Sequence, residues 1–419
     1  MDVKRGFLVT LVLLGVVAGG RAATAPSPAL LALTGGELGS GSRLLVLEPR
    51  TLRPFGESLA LPGWAFGYEW ARSPDGDRVA VVPKPSEKNE RLFVIGTRGS
   101  LSVFARMRLP GEDVCRLAWP SDRRLLLVLT RGPACYTVTE SARVLVVDPL
   151  RGRVVAQRAL FGRAVVIAAA RTRDGLALLL APPAGRSGAR LVLVAAARTR
   201  TVPLPSLQLS PRSLDKSVLG SAIGLAVDRE AGHAYLVAPE GRVFDVNLAS
   251  RKMSVHSLPL RKPAAASKGA VESIVQAVWL GRGVLAITGA RRTPSGRLLP
   301  LGLRLTDTRS WRSRLVDAGA TGMALAGTTV LAFQPFFDQL GAGTTAIGLR
   351  GYSLGGLIRF RAFAGKPITV VRSQGRYAYA AGLGPVGTPV VDLSRGRVEP
   401  SDPEAASISP LELLAGTGR

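Results

Sequence analysis

Short apolar bursts separated by turn residues dominate the chain from residue 30 onward. One stretch reads EWARSPDGDRVAVV, and a later one reads VCRLAWPSDRRLLLVLT. The bursts are rich in Val, Leu, Ala and Ile, and the breaks hold Gly, Asp, Asn and Ser, a composition typical of β-strands joined by turns. No stretch shows the sustained 3.6-residue periodicity and capping residues of a long helix. The pattern predicts an all-β protein.

These bursts recur as about seven complete units of about 40–50 residues, the period typical of propeller blades. Each unit has an apolar strand, a turn, a second strand, a variable loop, a third strand ending in a polar turn, and a fourth strand. A four-stranded sheet cannot bury both faces alone, whereas sheets stacked radially around an axis can. We therefore predict a single β-propeller domain over residues 30–419.

The number of blades depends on how the ring closes. The first unit, containing ALLALTGG, SRLLVLEPRTL and GESLALPG, lacks its first strand. The C-terminal stretch SISPLELLAGTG can supply the missing inner strand. This predicts eight four-stranded blades closed by strands from both termini, with seven blades as the alternative if one degenerate unit is misread.

Several units also carry a family resemblance. EWARSPDGDRVAVV resembles the Trp-Ser-Pro-Asp-Gly blade motif of Tol-type and WD-repeat-like propellers. RVLVVDPLRGRVV and TPVVDLSRGRVEP resemble the Val-Asp-Pro/Leu-x-x-Gly step of YVTN-type repeats of bacterial exported propellers. In physical terms, Asp75-Gly76 and Asp174-Gly175 suit tight turns between first and second strands. Asp148 and Asp392 can bond their own backbone and begin the turn between third and fourth strands.

The N-terminus differs from the rest because it holds the longest apolar run. Two basic residues precede an apolar segment at 7–18, which small residues follow, as in a secretory signal peptide. We predict a signal peptide over residues 1–22 and a linker over 23–29. The run is shorter than the about 20 residues that cross a bilayer comfortably, so a retained anchor is the weaker alternative. The protein is thus expected to be secreted or extracytoplasmic, at the cell envelope, with no transmembrane span after cleavage.

The net charge limits the classes of partner that are expected. With 55 basic and 29 acidic residues, the net charge is +26. Such a surface attracts phosphate-rich polymers, anionic lipid surfaces or acidic wall polymers. The arginines are spread through almost every loop, which is equally typical of a solvated surface. An exported protein meets no cellular DNA, so we expect no nucleic-acid binding. The expected partner is a protein or an anionic envelope polymer, and the expected state is a monomer.

Cys115 and Cys135 are the only cysteines, and both fall within one repeat. Two cysteines in an exported chain favour one disulfide over a metal site or a nucleophile. Pairing requires their Cα atoms to lie within about 7 Å. We predict that this disulfide cross-links a local loop.

Tryptophan marks the one candidate ligand face. Trp70 and Trp119 hold matching places near the ends of the first strands of consecutive units, and Trp279 holds a related place. Indoles there would pack between blades or lie near the channel mouth. Because Trp commonly keeps its N–H near a wet edge, ligand stacking is the alternative role for all three.

Residues 351–355, GYSLG, match the G-x-S-x-G nucleophile elbow of hydrolases. An elbow needs a strand-to-helix turn, followed later in the chain by an acid and a histidine. The residues after Ser353 read as a strand, and both histidines, His233 and His256, precede it. We interpret the match as a turn between third and fourth strands. Two isolated histidines make no metal site, so we predict no catalytic residues, no metal and no cofactor.

Three functions remain open on the sequence alone. The first is an exported, non-enzymatic propeller that binds a partner as a scaffold at the envelope. The second is a hydrolase or lyase with an active site at the channel mouth, which would need convergent carboxylates, histidine or a metal. The third is electrostatic attachment to anionic wall polymers or a lipid surface. The lack of a catalytic grouping favours the first.

Overall fold

The structure is a computed structural model. It describes residues 29–35, 41–62, 64–84, 91–109, 112–131, 139–182, 188–207, 223–230, 232–260, 273–293, 297–335, 337, 340, 344–382, 388–400, 408–410 and 413–415. The predicted signal peptide, 1–22, lies outside these residues, as does all of the predicted linker except Ala29.

Within the described residues the chain forms 32 strands, all paired antiparallel within their sheets. The strands of the first four blades are β1 (Leu30–Thr34), β2 (Ser42–Leu47), β3 (Leu59–Leu61), β4 (Trp64–Arg72), β5 (Arg78–Lys84), β6 (Arg91–Gly96), β7 (Ser102–Arg108), β8 (Asp113–Ser121), β9 (Arg124–Arg131), β10 (Ser141–Asp148), β11 (Arg153–Phe161), β12 (Val165–Arg171), β13 (Gly175–Ala181), β14 (Ala189–Ala195) and β15 (Thr199–Leu204).

The other four blades follow in the same order along the chain. Their strands are β16 (Gly224–Asp228), β17 (His233–Val237), β18 (Arg242–Asn247), β19 (Met253–Ser257), β20 (Ser273–Gly281), β21 (Val284–Arg292), β22 (Leu298–Pro300), β23 (Leu303–Asp307), β24 (Ser313–Asp317), β25 (Gly322–Ala326), β26 (Thr329–Phe333), β27 (Leu349–Ser353), β28 (Ile358–Ala362), β29 (Ile368–Gln374), β30 (Tyr377–Gly382), β31 (Val390–Asp392) and β32 (Arg397–Val398).

The strands form an eight-bladed β-propeller. Seven blades are sheets of consecutive strands, with the short β22 added to the sixth beside β21. The first blade combines β1, β2 and β3 with the C-terminal segment, which bridges Ala32 to Leu413 in antiparallel fashion. The backbone N–H of Leu414 donates to the carbonyl of Leu31 at 2.8 Å. The predicted eight blades and closure by both termini are therefore confirmed, and the seven-blade alternative is wrong.

The hydrophobic core is divided among the gaps between blades. Eight clusters of buried side chains fill the eight gaps, including the gap between the last blade and the first. Strand β13 shows how one strand serves two gaps. Leu178 points into the gap with the third blade, and Leu179 points into the gap with the fifth. Because successive side chains of a strand face opposite ways, a continuous apolar run is needed here.

Polar contacts reinforce the closure of the ring. The Arg72 guanidinium, on the second blade, donates to the carbonyl of Ala29 at 2.6 Å and to that of Leu414 at 3.4 Å. Burial lowers the pKa of Arg72 to about 10. On the outer side, Arg50 of the first blade pairs with Glu399 of the last at 2.7 Å. The segments at both ends of the described chain are thus tied to the second blade, and the first blade is tied to the last.

The turns follow the chemistry that the sequence indicates. The Asp148 carboxylate accepts the backbone N–H of Leu150 at 3.1 Å. The Asp392 carboxylate likewise accepts that of Ser394 at 2.9 Å. Gly76 has a φ of +79°, which an L side chain adopts only with strain, and it closes the turn between β4 and β5. The predicted turn roles of Asp75-Gly76, Asp148 and Asp392 are confirmed.

Candidate functional site

A cleft opens between the fourth and fifth blades, at the face where first-to-second and third-to-fourth turns lie. These two turns share one end of each sheet because the strands alternate in direction. The cleft encloses about 250 Å³. Its walls come from the turn after β12, the turn between β14 and β15, and the corresponding turns of the fifth blade.

Four arginines line this cleft. Arg173, Arg198 and Arg229 are exposed, and Arg200 is half-buried. Some arginines elsewhere pair with carboxylates, such as Arg116 with Glu69 at 2.9 Å and Arg143 with Glu112 at 2.7 Å. Among the residues that the structure describes, no ion pair joins any of the four cleft arginines to a carboxylate. These side chains give the lining of the cleft a concentration of positive charge.

A fifth arginine adds to the positive charge. Arg171 ends β12, and the Nε of Arg229 donates to its carbonyl oxygen at 3.4 Å. Solvent reaches both side chains, yet the surrounding protein removes enough water to lower the pKa of Arg171, and the charge of Arg229 lowers it further. Burial also lowers the pKa of Arg229. Burial is thus the larger cause of both shifts, and the proximity of the two guanidinium groups contributes to that of Arg171.

Two aspartates belong to the same walls. Asp228 is 6% exposed, and its carboxylate accepts the backbone N–H of Glu230 at 3.0 Å, so it shapes the turn after β16. Asp174 is exposed, and within the described part of the chain its carboxylate has no hydrogen bond or ion pair. Gly175 follows it. A Cβ atom at Gly175 would lie 2.0 Å from the carbonyl oxygen of Val194, so glycine allows this turn to approach β14 closely.

The cleft walls are fixed from behind. Nη2 of Arg158, on the third blade, donates to the carbonyls of Ala195 and Ala196 at 2.9 and 2.6 Å. On the other side, the Asn247 side-chain oxygen accepts the N–H groups of Ala249 and Ser250 at 3.1 and 2.8 Å. Because both turns are hydrogen-bonded in place, the cleft is preformed.

A short repeat within the fourth blade indicates this site in the sequence. The hexapeptide AAARTR occurs at 168–173 and again at 195–200. The first copy ends β12 and enters its turn, and the second forms the turn between β14 and β15. The two copies therefore bring four arginines of one blade to one end of its sheet. The dispersed charge predicted for the loops is locally concentrated here.

The three tryptophans of the predicted ligand face lie in three different gaps. Trp70 is half-buried between the first and second blades, and Trp119 is 6% exposed between the second and third. Trp279 lies between the fifth and sixth blades, where its indole stacks on Tyr235 at 5.3 Å between ring centroids. The structure does not bring them together. Their packing matches the interpretation of indoles packed between blades, and the alternative, a ligand role, stays a prediction.

The predicted disulfide involves one residue outside the described chain. Cys115 is fully buried on β8 in the gap between the third and fourth blades. Cys135 lies outside the described residues. The pairing stays a prediction.

The serine motif occupies a hairpin. Ser353 ends β27, and its hydroxyl oxygen accepts the backbone N–H of Leu357 at 3.0 Å just before β28. Both histidines lie in the fifth blade instead. His233 bonds Asp245 at 2.6 Å, and His256 stacks on Trp311 with ring centroids 3.8 Å apart. The interpretation of GYSLG as a third-to-fourth strand turn is confirmed.

The chemistry that this geometry supports is the binding of anions. Among the described residues, no three His, Cys, Asp or Glu side chains gather closely enough to hold a metal ion. Guanidinium groups present forked N–H donors that match carboxylate and phosphate oxygens. The cleft thus offers charge and directional donors together.

No helix in the described part of the chain has the length and apolar character needed to span a bilayer.

Comparison with known proteins gives the fold and no more. No protein-family model matches the chain. No curated protein matches it either. The assignment to Tol-type or YVTN-type repeats therefore stays a prediction, while the propeller architecture is established.

Several solved structures are similar in shape. Dihydro-heme d1 dehydrogenase NirN in complex with DHE has a TM-score of 0.52 at 14% identity, over 90% of this chain and 73% of that one. Sqt1 from Chaetomium thermophilum has a TM-score of 0.51 at 13% identity, over 85% and 92%. A putative 6-phosphogluconolactonase from Bacteroides uniformis scores 0.45 at 14% identity, over 79% and 95%. At these identities the likeness of the first two structures is one of fold alone.

Proposed function

We propose that this protein is an exported, non-enzymatic binding protein of the cell envelope that holds an anionic ligand in the cleft between its fourth and fifth blades. The observation that carries the proposal is the set of four arginines lining one cleft without a carboxylate partner among the described residues. The proposal unites the binding role and the electrostatic role that the sequence leaves open.

The expected affinity follows from the number of guanidinium contacts. A hydrogen bond to a charged group contributes roughly 1.5–3 kcal/mol. Two or three such bonds on one carboxylate or phosphate would give measurable binding. The net charge of +26 also attracts polyanions from a distance. That long-range attraction weakens with salt, whereas bidentate contacts inside the cleft are screened less.

A binding experiment separates the cleft from the general surface charge. Fluorescein-labelled polyglutamate and inorganic polyphosphate are titrated with purified protein over about 50 to about 500 mM NaCl, a range in which exposed charges become strongly screened. The double variant Arg173→Gln/Arg229→Gln should bind about tenfold or more weakly at intermediate salt. The control Arg43→Gln/Arg53→Gln removes equal charge from the first blade and should change affinity by no more than about twofold.

Equal loss in both double variants would show that overall charge, and not the cleft, attracts the polyanion. Equal affinity in all three proteins would remove the proposal altogether. The envelope location has its own test. The protein recovered from the cell envelope should begin at Ala23, as read by N-terminal sequencing, and a protein starting at Met1 in the cytosolic fraction would contradict export.

A further inference from the structure

The cleft is not a uniformly cationic surface, and its mixed lining points to a class of ligand. We propose, on the basis of the proposed function, that its occupant is an acidic sugar unit of a polysaccharide. Arginines hold the carboxylate or phosphate of that unit, and Asp174 accepts hydrogen bonds from its hydroxyl groups. A hexuronate and a sugar phosphate share this chemistry.

The size of the cleft limits the occupant. At about 250 Å³ it is slightly smaller than the pockets of about 300–1,000 Å³ that hold drug-sized ligands. A single sugar ring with its acidic group is a ligand of that smaller size. The rest of a polymer chain would extend from the open mouth of the cleft over the face of the propeller.

Part of the wall is apolar. Leu193 of the fourth blade and Leu248 of the fifth are half-buried, line the cleft, and pack against the core cluster between these blades. A bare inorganic anion keeps its water and gains nothing from such a wall. A sugar ring carries C–H groups on its faces, and contact with leucine side chains removes both apolar surfaces from water. The apolar wall thus favours an organic anion over an inorganic one.

The decisive residue is Asp174. Its carboxylate repels any anion that enters the cleft, so it weakens the binding of a ligand that carries only acidic groups. It is exposed, and among the described residues it neither pairs with an arginine nor caps a turn. A carboxylate is, however, a strong acceptor for O–H donors, and such charge-assisted bonds are roughly twice as strong as neutral ones. A ligand with an acid group and hydroxyl groups uses both kinds of side chain.

This argument predicts effects of opposite sign for one substitution. Asp174→Asn raises the net positive charge, so polyglutamate, which has no hydroxyl groups, should bind equally well or more tightly. Oligogalacturonate should bind about tenfold more weakly, the loss expected for one hydrogen bond to a charged group. Asp122→Asn makes the same charge change in the turn after β8 and serves as the matched control, with both ligands unaffected or slightly tighter.

The measurement is a titration of the full-length protein and its variants with labelled oligogalacturonate, phosphorylated mannan oligosaccharide and polyglutamate. Thermal unfolding verifies that each variant is folded, and Asp174→Ala provides a second test of the same carboxylate. Weakened binding of either saccharide by Asp174→Asn supports the proposal. If only one saccharide is weakened, its acidic group identifies the ligand as a uronate or a sugar phosphate. Tighter binding of all three ligands overturns the sugar assignment but leaves the anion cleft intact. If Arg173→Gln/Arg229→Gln binds every ligand like the wild type, the proposed function itself is wrong.

Discussion

Closure of the ring by the C-terminal segment can be tested with a single substitution, Leu414→Ala. The Leu414 side chain is fully buried in the gap between the first two blades, together with Leu31 and Val79. Burying a leucine side chain stabilises a fold by roughly 1.5–3 kcal/mol. The cavity left by truncation raises the cost of Leu→Ala to about 2–5 kcal/mol. Because the backbone hydrogen bond to Leu31 survives the change, we expect a loss of about 3 kcal/mol from packing alone.

Urea unfolding followed by tryptophan fluorescence measures this loss as a lower midpoint at unchanged slope. Leu357→Ala is the control, because that side chain is 73% exposed and its truncation should cost less than about 0.5 kcal/mol. Leu178→Ala, fully buried in a gap far from the closure, gives the cost of an ordinary core leucine. If Leu414→Ala unfolded at the wild-type midpoint while Leu178→Ala did not, the C-terminal segment would not be part of the first blade in solution.

Three further outcomes are expected. Arg72→Ala should lower the free energy of unfolding by about 2–3 kcal/mol, because the carbonyls of Ala29 and Leu414 lose a charged donor, and an unchanged urea midpoint would contradict this. Burial alone would raise the pKa of Asp392, but hydrogen bonds from Ser394 and Arg376 outweigh it and lower the pKa to about 2. This pKa lies below the unfolded value of about 3.9, so the stability that ionised Asp392 contributes is complete above about pH 4 and is lost as pH falls toward 2. Asp392→Asn should therefore make the melting temperature depend less on pH between about pH 4 and 2. Parallel curves of melting temperature against pH for wild type and variant would refute the reasoning. Non-reducing peptide mass spectrometry should find the two cysteines joined, with reduction costing about 2–4 kcal/mol; two free thiols in the denatured protein would rule out the bond.

The fold could be predicted from the sequence because every blade places the same physical requirements on its residues. A strand buried on both faces needs a continuous apolar run, and β13 supplies one seven residues long with every side chain buried. A turn that needs a left-handed residue or an acceptor side chain shows it as glycine or aspartate, as at Gly76 and Asp148. The first unit lacks one strand, and the apolar C-terminal stretch can supply it. The closure of the ring could therefore be predicted too.

The cleft was not predicted, because nothing in one repeat reveals which turns of two blades share a gap. Arg173 and Arg229 are far apart in the chain and line one cavity only because the fourth and fifth sheets lie side by side. Counting charges along the loops gives a dispersed surface. Ion pairing is also hidden from the sequence. Arg116 pairs with Glu69 of the preceding blade, whereas the cleft arginines form no such ion pair among the described residues. Both facts depend on three-dimensional adjacency.

The tryptophans show why repetition between blades is a poor guide to a binding site. Equivalent positions in a propeller are related by rotation about its axis, so a residue repeated from blade to blade arrives in a different gap each time. Trp70, Trp119 and Trp279 illustrate this, since each packs into its own gap. Repetition within one blade acts differently, because the first-to-second and third-to-fourth turns meet at the same end of the sheet. The two copies of AAARTR, at 168–173 and 195–200, therefore bring their arginines to one place, whereas the matching tryptophans lie in separate gaps.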